Sequence, residues 1–283
     1  MKKTFLFKHK SQSISNLDIL NKLQKLKLPE SDVVYVHSDI NFGFPNLNLK
    51  RTEILDSLYE IFINLNIKTL IFPTYTFSFC RNEKFNYHQS ETKMGVLNEH
   101  IRKKFKNNRS LDPLLSNVLI GQRKYLINNI SKDSIGFGST FDLIAKSNLK
   151  IKFLFFGSQL HKCFTFMHYL EFIEKVNYRY QKKFSGIIEF KNKSYKDVYK
   201  LFVRYLGIES SQGSSAYEYY MQNKKILKKV DVGSSFISCV DKDASINCYL
   251  EFLKKNRNFF IKKQFNKKRN LRIFNKNKSI LSL

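Results

Sequence analysis

The sequence contains no tryptophan, and only four prolines and four cysteines among 283 residues. The cysteines, Cys80, Cys163, Cys239 and Cys248, lie far apart and form no C-x-x-C pair, so neither a disulfide framework nor a zinc ribbon is expected. No cluster of His, Cys or Asp has metal-ligand spacing, and no metal is expected either. No apolar run approaches the ~18–20 residues of a membrane span, because Lys, Asn or Asp interrupts each candidate. The first ten residues have basic flanks around an apolar stretch too short for a signal peptide. A reducing cytoplasm is therefore the expected location. Internal repeats, Ser/Gly linkers and proline-rich tracts are also missing. Acidic residues are scarce: 23 Asp and Glu face 50 Lys and Arg, a formal net charge of +27.

What is present suffices for a core. Hydrophobic residues make up 42% and aromatics 15%, which excludes wholesale disorder. Heavy use of Lys, Asn, Ile and Phe is the bias of a chain encoded by AT-rich DNA, so part of the charge is background. From Lys254 to Leu283 there are 11 Lys and Arg and no acid; without that segment the body still carries 39 basic against 23 acidic residues. A field of this sign favours anionic partners: nucleic acid, a membrane surface or a phosphorylated small molecule. The expected organisation is one domain over residues 1–256 and a basic tail over 257–283.

Hydrophobic spacing predicts helices over residues 11–28 and 51–65, each followed by a buried strand, 32–38 and 68–74. This alternation predicts parallel strands joined by helical crossovers. Further helices are predicted over 94–105, 141–145, 164–176, 214–227 and 244–253, and strands over 115–120, 152–157 and 230–240. Residues 184–190 and 194–198 predict a hairpin. The fold class is α/β.

Three strands end in polar groups: His37-Ser38-Asp39, Thr74-Tyr75-Thr76, and the segment before His168. Open α/β sheets place their ligand crevices at such strand ends. His168 and Glu171 are i and i+3 on a predicted helix, so imidazole and carboxylate share a face. A carboxylate there orients the ring and raises its pKa, as suits a general base; a histidine paired for structural reasons alone is the plainer reading. Arg109 and Ser110 could hold a phosphate or carbonyl, and Asp112 a cationic acceptor group, although such a string is often only a turn. Gly138 and Ser139, in Gly136-Phe137-Gly138-Ser139-Thr140, can present backbone N–H groups to an anion at a helix start. Neither a Walker lysine nor G-x-G-x-x-G spacing accompanies them, and no G-x-S-x-G surrounds Ser38.

In this order the motifs resemble the aminoglycoside N3-acetyltransferase family of CoA-dependent antibiotic acetyltransferases. The similar strings are Val36-His37-Ser38, Phe72-Pro73-Thr74-Tyr75-Thr76, Met94-Gly95-Val96-Leu97, Arg109-Ser110-Leu111-Asp112-Pro113 with Ser116, and Gly136-Phe137-Gly138-Ser139. Phe155-Phe156-Gly157, Thr165-Phe166-Met167-His168-Tyr169-Leu170-Glu171 and Asp231-Val232-Gly233-Ser234 follow. They span residues from about 12 to about 256. The resemblance implies an α/β/α sandwich with a central mixed sheet and an acetyl-CoA cleft. It makes His168 and Glu171 catalytic, sets His37, Ser38, Arg109, Ser110, Gly138 and Ser139 against CoA, and Thr74, Tyr75 and Asp112 against the acceptor.

Two departures bear on the acceptor. Drug-modifying members carry His where this chain has Asp112, and a body this basic repels polycations. The expectation is therefore N-acylation of an amino sugar of surface-polysaccharide synthesis, carried on a nucleotide or lipid diphosphate. Aminoglycoside 3-N-acetylation is the alternative. A nucleic-acid-binding protein is the rival of another class, but no helix-turn-helix, RNP, KH or zinc-finger pattern supports it. In the tail, Phe259, Phe260, Ile261, Phe265, Leu271, Ile273 and Phe274 alternate with cations and could lie on an anionic leaflet.

Overall fold

A computed structural model describes residues 1–206, 208–209 and 213–262. The chain opens with a hairpin, β1 (Phe5–His9) and β2 (Gln12–Ser15), and runs directly into helix α1 (Asn16–Gln24). The helix expected from residue 11 starts later because residues 12–15 pair with β1. Ser15 then closes a capping box with Asp18, each side chain taking the other's backbone N–H. Next come β3 (Val33–Ser38), β4 (Phe44–Pro45), α2 (Arg51–Asn64), β5 (Thr69–Pro73), β6 (Phe85–Asn86), α3 (Val96–Lys104) and β7 (Asn117–Gly121). They are followed by α4 (Thr140–Lys146), β8 (Ile151–Phe156), α5 (Leu160–Cys163), α6 (Phe166–Ile173), β9 (Arg179–Phe190) and β10 (Lys193–Arg204). The last elements are α7 (Gly213–Asn223), β11 (Lys228–Val232), β12 (Ser235–Asp241) and α8 (Lys242–Lys255).

Six strands form a central mixed sheet in the order β11-β12-β8-β3-β5-β7. β3 pairs in parallel with both β5 and β8, and the remaining pairs are antiparallel. The period-2 alternation of strands divides the interior. Val34 and Val36 of β3 pack with Ile19, Leu58 and Leu97 of α1, α2 and α3. Val33 and Tyr35 pack with Phe141, Phe166, Tyr217 and Tyr249 of α4, α6, α7 and α8. Helices thus cover both faces, and the fold is an α/β/α sandwich. Each fully buried Phe, Leu, Ile or Val contributes about 1.5–3 kcal/mol, which explains near-continuous apolar strands such as Lys152-Phe153-Leu154-Phe155-Phe156.

Two expected elements differ from the observed ones. The helix expected over 164–176 shortens to α6, and the additional turn α5 precedes it, because Phe164 leaves helical geometry (ψ 76°) and packs its ring on Phe153 and Phe155, 4.9 and 5.4 Å away. The strand over 230–240 is a hairpin, β11 to β12, turning at Gly233. The hairpin predicted near 190 is longer than its alternation suggested, and its register sets Arg204 opposite Arg179 at its root. Packing also continues past residue 256. Phe260 stacks on Tyr249 at 5.0 Å and is buried with Ile261. Those two apolar side chains therefore face the core rather than a leaflet; residues 263–283 of the expected tail lie outside the described residues.

The ends of β3 and β8 are held in close approach. Gly157 has φ +81°, and a Cβ placed there would fall 1.7 Å from the carbonyl oxygen of Asp39. Gly157→Ala should therefore destabilise the protein by about 2–3 kcal/mol or more, the cost of a left-handed alanine plus a forced backbone shift. The check is the midpoint of urea unfolding; an unchanged midpoint would show that the strand ends need not touch.

Candidate active site

The C-terminal ends of β3, β5 and β8 open into a cleft of about 1000 Å³, walled by α5, the start of α6 and the root of the β9–β10 hairpin. His37, Ser38, Tyr75, His168 and Glu171 all line it. These are five of the eleven side chains singled out in the sequence, contributed by two strand ends and one helix.

On α6, His168 Nδ1 lies 2.8 Å from Glu171 Oε2. The imidazole is packed deep in protein but keeps 37% of its side chain open, whereas Glu171 is enclosed. Tyr178 OH donates to Glu171 Oε1 at 2.8 Å. Arg179 Nε lies 2.6 Å from Oε2 as an ion pair. Burial alone would raise the Glu171 pKa, but Arg179, then His168 and Tyr178, bring it down to about 2, so the carboxylate is always charged at working pH. His168 moves opposite to the sequence expectation. Burial, and then the Arg179 guanidinium, push its pKa below the ordinary histidine value, and Glu171 only partly offsets them. Glu171 offsets them only in part because it shares its charge with Arg179.

His37 ends β3 with its ring stacked on Phe155 (5.5 Å, 5° between planes), and its Nε2 is buried without a partner. Burial lowers its pKa to about 3, so it stays neutral. Ser38 Oγ donates to Asn98 Oδ1 at 2.7 Å. Tyr75 OH shares a 2.7 Å hydrogen bond with Tyr35 OH, which also donates to Asn117.

The other six expected site residues do not line the cleft. The Arg109 guanidinium is buried over the Phe85 ring and donates to Ser116 Oγ and to the carbonyls of Tyr87, Ser90 and Thr74. It clamps loops instead of facing phosphate, and burial lowers its pKa to about 9. Ser110 Oγ accepts from the Asn117 N–H, and Thr74 bonds Ser116. Asp112 accepts from the backbone of Leu114 and Leu115 and from Ser134 Oγ, so its carboxylate is consumed by its own turn. Gly138 donates its N–H to Asp142, and Ser139 caps α4. The anion-friendly loop already holds an internal carboxylate.

Several cleft groups escaped sequence reading. Tyr178, in the turn before β9, and Arg179, the first residue of β9, reach Glu171 from outside α6. His161 Nδ1 lies 2.6 Å from Glu218 Oε2, a contact between α5 and α7 across 57 positions of sequence. Cys163 also lines the cleft, but burial pushes its thiol pKa up to about 12, which leaves no thiolate for an acyl-enzyme. No group of three or more metal-ligating side chains occurs among the described residues, and no helix among them is long and apolar enough to cross a membrane.

An α/β/α sandwich whose parallel strand ends open into a cleft lined by a His–Glu pair of α6 is the class of structure these observations define. The family model for aminoglycoside 3-N-acetyltransferase matches residues 66–254. The chain belongs to that family of CoA-dependent N-acetyltransferases. Solved structures agree in fold. AAC-IIIb in a binary complex with CoASH has a TM-score of 0.69 at 15% identity, covering 88% of this chain and 98% of that one. AAC(3)-IVa apoenzyme gives 0.66 at 20%, covering 87% and 90%. The YokD protein from Bacillus subtilis gives 0.68 at 16%, covering 86% and 94%. Curated protein sequences give no match.

Proposed function

We propose that this enzyme transfers the acetyl group of acetyl-CoA to an amine of an aminoglycoside-type amino sugar, with His168 as general base and Glu171 orienting it. The observation that carries the reading is the His168–Glu171 pair, fixed at 2.8 Å with the imidazole edge open to the cleft. His168 Nε2 takes the proton of the attacking amine as the new C–N bond forms. The thioester C–S bond breaks, and the departing thiolate is protonated from solvent. His37 and Tyr75, at the floor of the same cleft, are assigned to contacts with CoA and acceptor respectively, and Ser38 to CoA.

The family supports an aminoglycoside acceptor. AAC-VIa has been solved bound to sisomicin, and an AAC(3)-IVa mutant in complex with a gentamicin. Asp39 lines the cleft of this chain and is not ion-paired with Lys or Arg among the described residues. It suits a second ammonium group. One observation favours the nucleotide-linked amino sugar expected from the charge: Lys93, Lys162, Arg179 and Arg204 also line the cleft. Nothing in the comparisons supports that second reading or contact of the tail with a membrane.

Purified protein with acetyl-CoA, assayed against gentamicin, sisomicin and a panel of nucleotide-linked amino sugars, separates the two. The expected result is release of free CoA thiol with the aminoglycosides, with kcat/KM at least about tenfold above the best nucleotide sugar, a gap of about 1.4 kcal/mol. Turnover of nucleotide sugars alone reverses the assignment.

A further inference from the structure

The arginine at the hairpin root has no part in the resemblance, yet it touches both members of the pair. Arg179 Nε lies 2.6 Å from Glu171 Oε2, Nη2 lies 3.0 Å from His168 Nδ1, and Nη1 donates to the Phe202 carbonyl at 3.1 Å. Its side chain is only 8% exposed. Two anchors on two elements, the Glu171 carboxylate of α6 and the Phe202 carbonyl of β10, thus hold a planar guanidinium beside the imidazole edge.

We infer that Arg179 is a positioning residue that keeps His168 uncharged, with its Nε2 lone pair free for the acceptor amine. The inference rests on the reading of His168 as the base. His168 Nδ1 faces two partners that want opposite things. Glu171 can only accept a hydrogen bond, and Arg179 can only donate one. The carboxylate contact is the shorter, 2.8 against 3.0 Å. Nδ1 therefore carries the proton and Nε2 the lone pair. A second proton on the ring would create an imidazolium against the guanidinium. That charge meets Glu171 from α6, Tyr178 from the turn before β9, Arg179 from β9, and Arg204 from β10. Arg179 and Arg204 both bear on the ring, and the one carboxylate beside it is already bound to Arg179.

The consequence is a base ready below neutral pH. A histidine paired with a carboxylate alone holds its proton more tightly, and a fraction of it is blocked at pH 6–7. With Arg179 present the ring is empty when the amine arrives. After it takes the amine proton, the same guanidinium favours release of that proton to solvent.

The test is the pH dependence of kcat in Arg179→Gln and Arg179→Lys, with acetyl-CoA and the acceptor identified above. In Arg179→Gln the acid limb should move up by about one pH unit, so activity at pH 6 falls roughly tenfold relative to pH 8. KM for acetyl-CoA should stay within about twofold. Arg179→Lys keeps the charge but not the fork, and its limb should stay near that of the parent with a lower plateau. The ¹⁵N resonances of His168 give a reading independent of turnover, and its titration midpoint should rise in Arg179→Gln. Circular dichroism establishes that each variant is folded; if Arg179→Gln unfolds, the lysine variant and the parent ¹⁵N titration carry the test. A parent His168 that titrates above the ordinary histidine value overturns the inference, as does an unshifted limb in folded Arg179→Gln. A rise in KM for acetyl-CoA with no shift makes Arg179 a ligand contact instead. Full activity in His168→Ala refutes the base reading itself, whereas an inactive His168→Ala with an unshifted Arg179→Gln refutes only the role given to Arg179.

Discussion

His168→Ala is expected to lower kcat by roughly 10²–10⁴-fold, the contribution of a positioned general base. Binding of CoA should survive, since the imidazole is one group among many lining the cleft. Isothermal titration with CoA and initial rates with acetyl-CoA separate the two quantities. Removing the ring opens space in the cleft and does not break the sheet, because His168 sits on α6 and its side chain is 37% exposed. The Glu171–Arg179 pair and the Tyr178 hydroxyl remain in place to hold the root of β9. The unfolding midpoint should accordingly shift little. The pH dependence of the parent enzyme carries the same signature. A histidine whose pKa is lowered below its ordinary value is neutral throughout the neutral range, so the acid limb of kcat should fall below about pH 6.5. A limb above pH 7 would place the essential base elsewhere.

The strand–helix–strand rhythm was legible because its elements are local. The helix over α2 and the strands β3, β5 and β8 follow from apolar spacing within a few residues of the observed bounds. His168 and Glu171 were legible for the same reason, since i and i+3 on a helix must share a face. Arg179, Tyr178 and the Glu218 that holds His161 were not, because each reaches its partner through the tertiary packing of another element. Arg109 and Asp112 illustrate the converse. Their charge reads as binding in the sequence, while in the fold it serves carbonyls and N–H groups of buried turns. The charge surplus is likewise ambiguous without coordinates: the cleft gathers four cations, but it also carries Asp39 and the Glu218-backed His161 on another stretch of its wall.

Glu171→Gln should injure stability and turnover together, by separable routes. The carboxylate is buried, ion-paired with Arg179, and bonded to Tyr178 and His168. Neutralising it leaves a buried guanidinium without its counter-charge, a loss of about 3–5 kcal/mol. The pH dependence of that loss is fixed in sign. Glu171 has a folded pKa of about 2, below the ordinary glutamate value, so its contribution is complete above about pH 4.5 and fades as pH falls toward 2. The stability difference between parent and variant should therefore be constant from pH 5 to 8 and shrink under more acid conditions, as read from urea titrations. A difference that grew on acidification would contradict the ion pair. For turnover, a glutamine amide beside Nδ1 can donate where the carboxylate only accepted, which favours the tautomer with its proton on Nε2 and removes the lone pair the amine needs. A loss approaching the roughly 10³–10⁴-fold of a mis-set catalytic tautomer is expected. Because the carboxylate acts through the ring, Glu171→Gln combined with His168→Ala should be no slower than His168→Ala alone. Additive losses in the double variant would mean that Glu171 contacts the reacting groups directly.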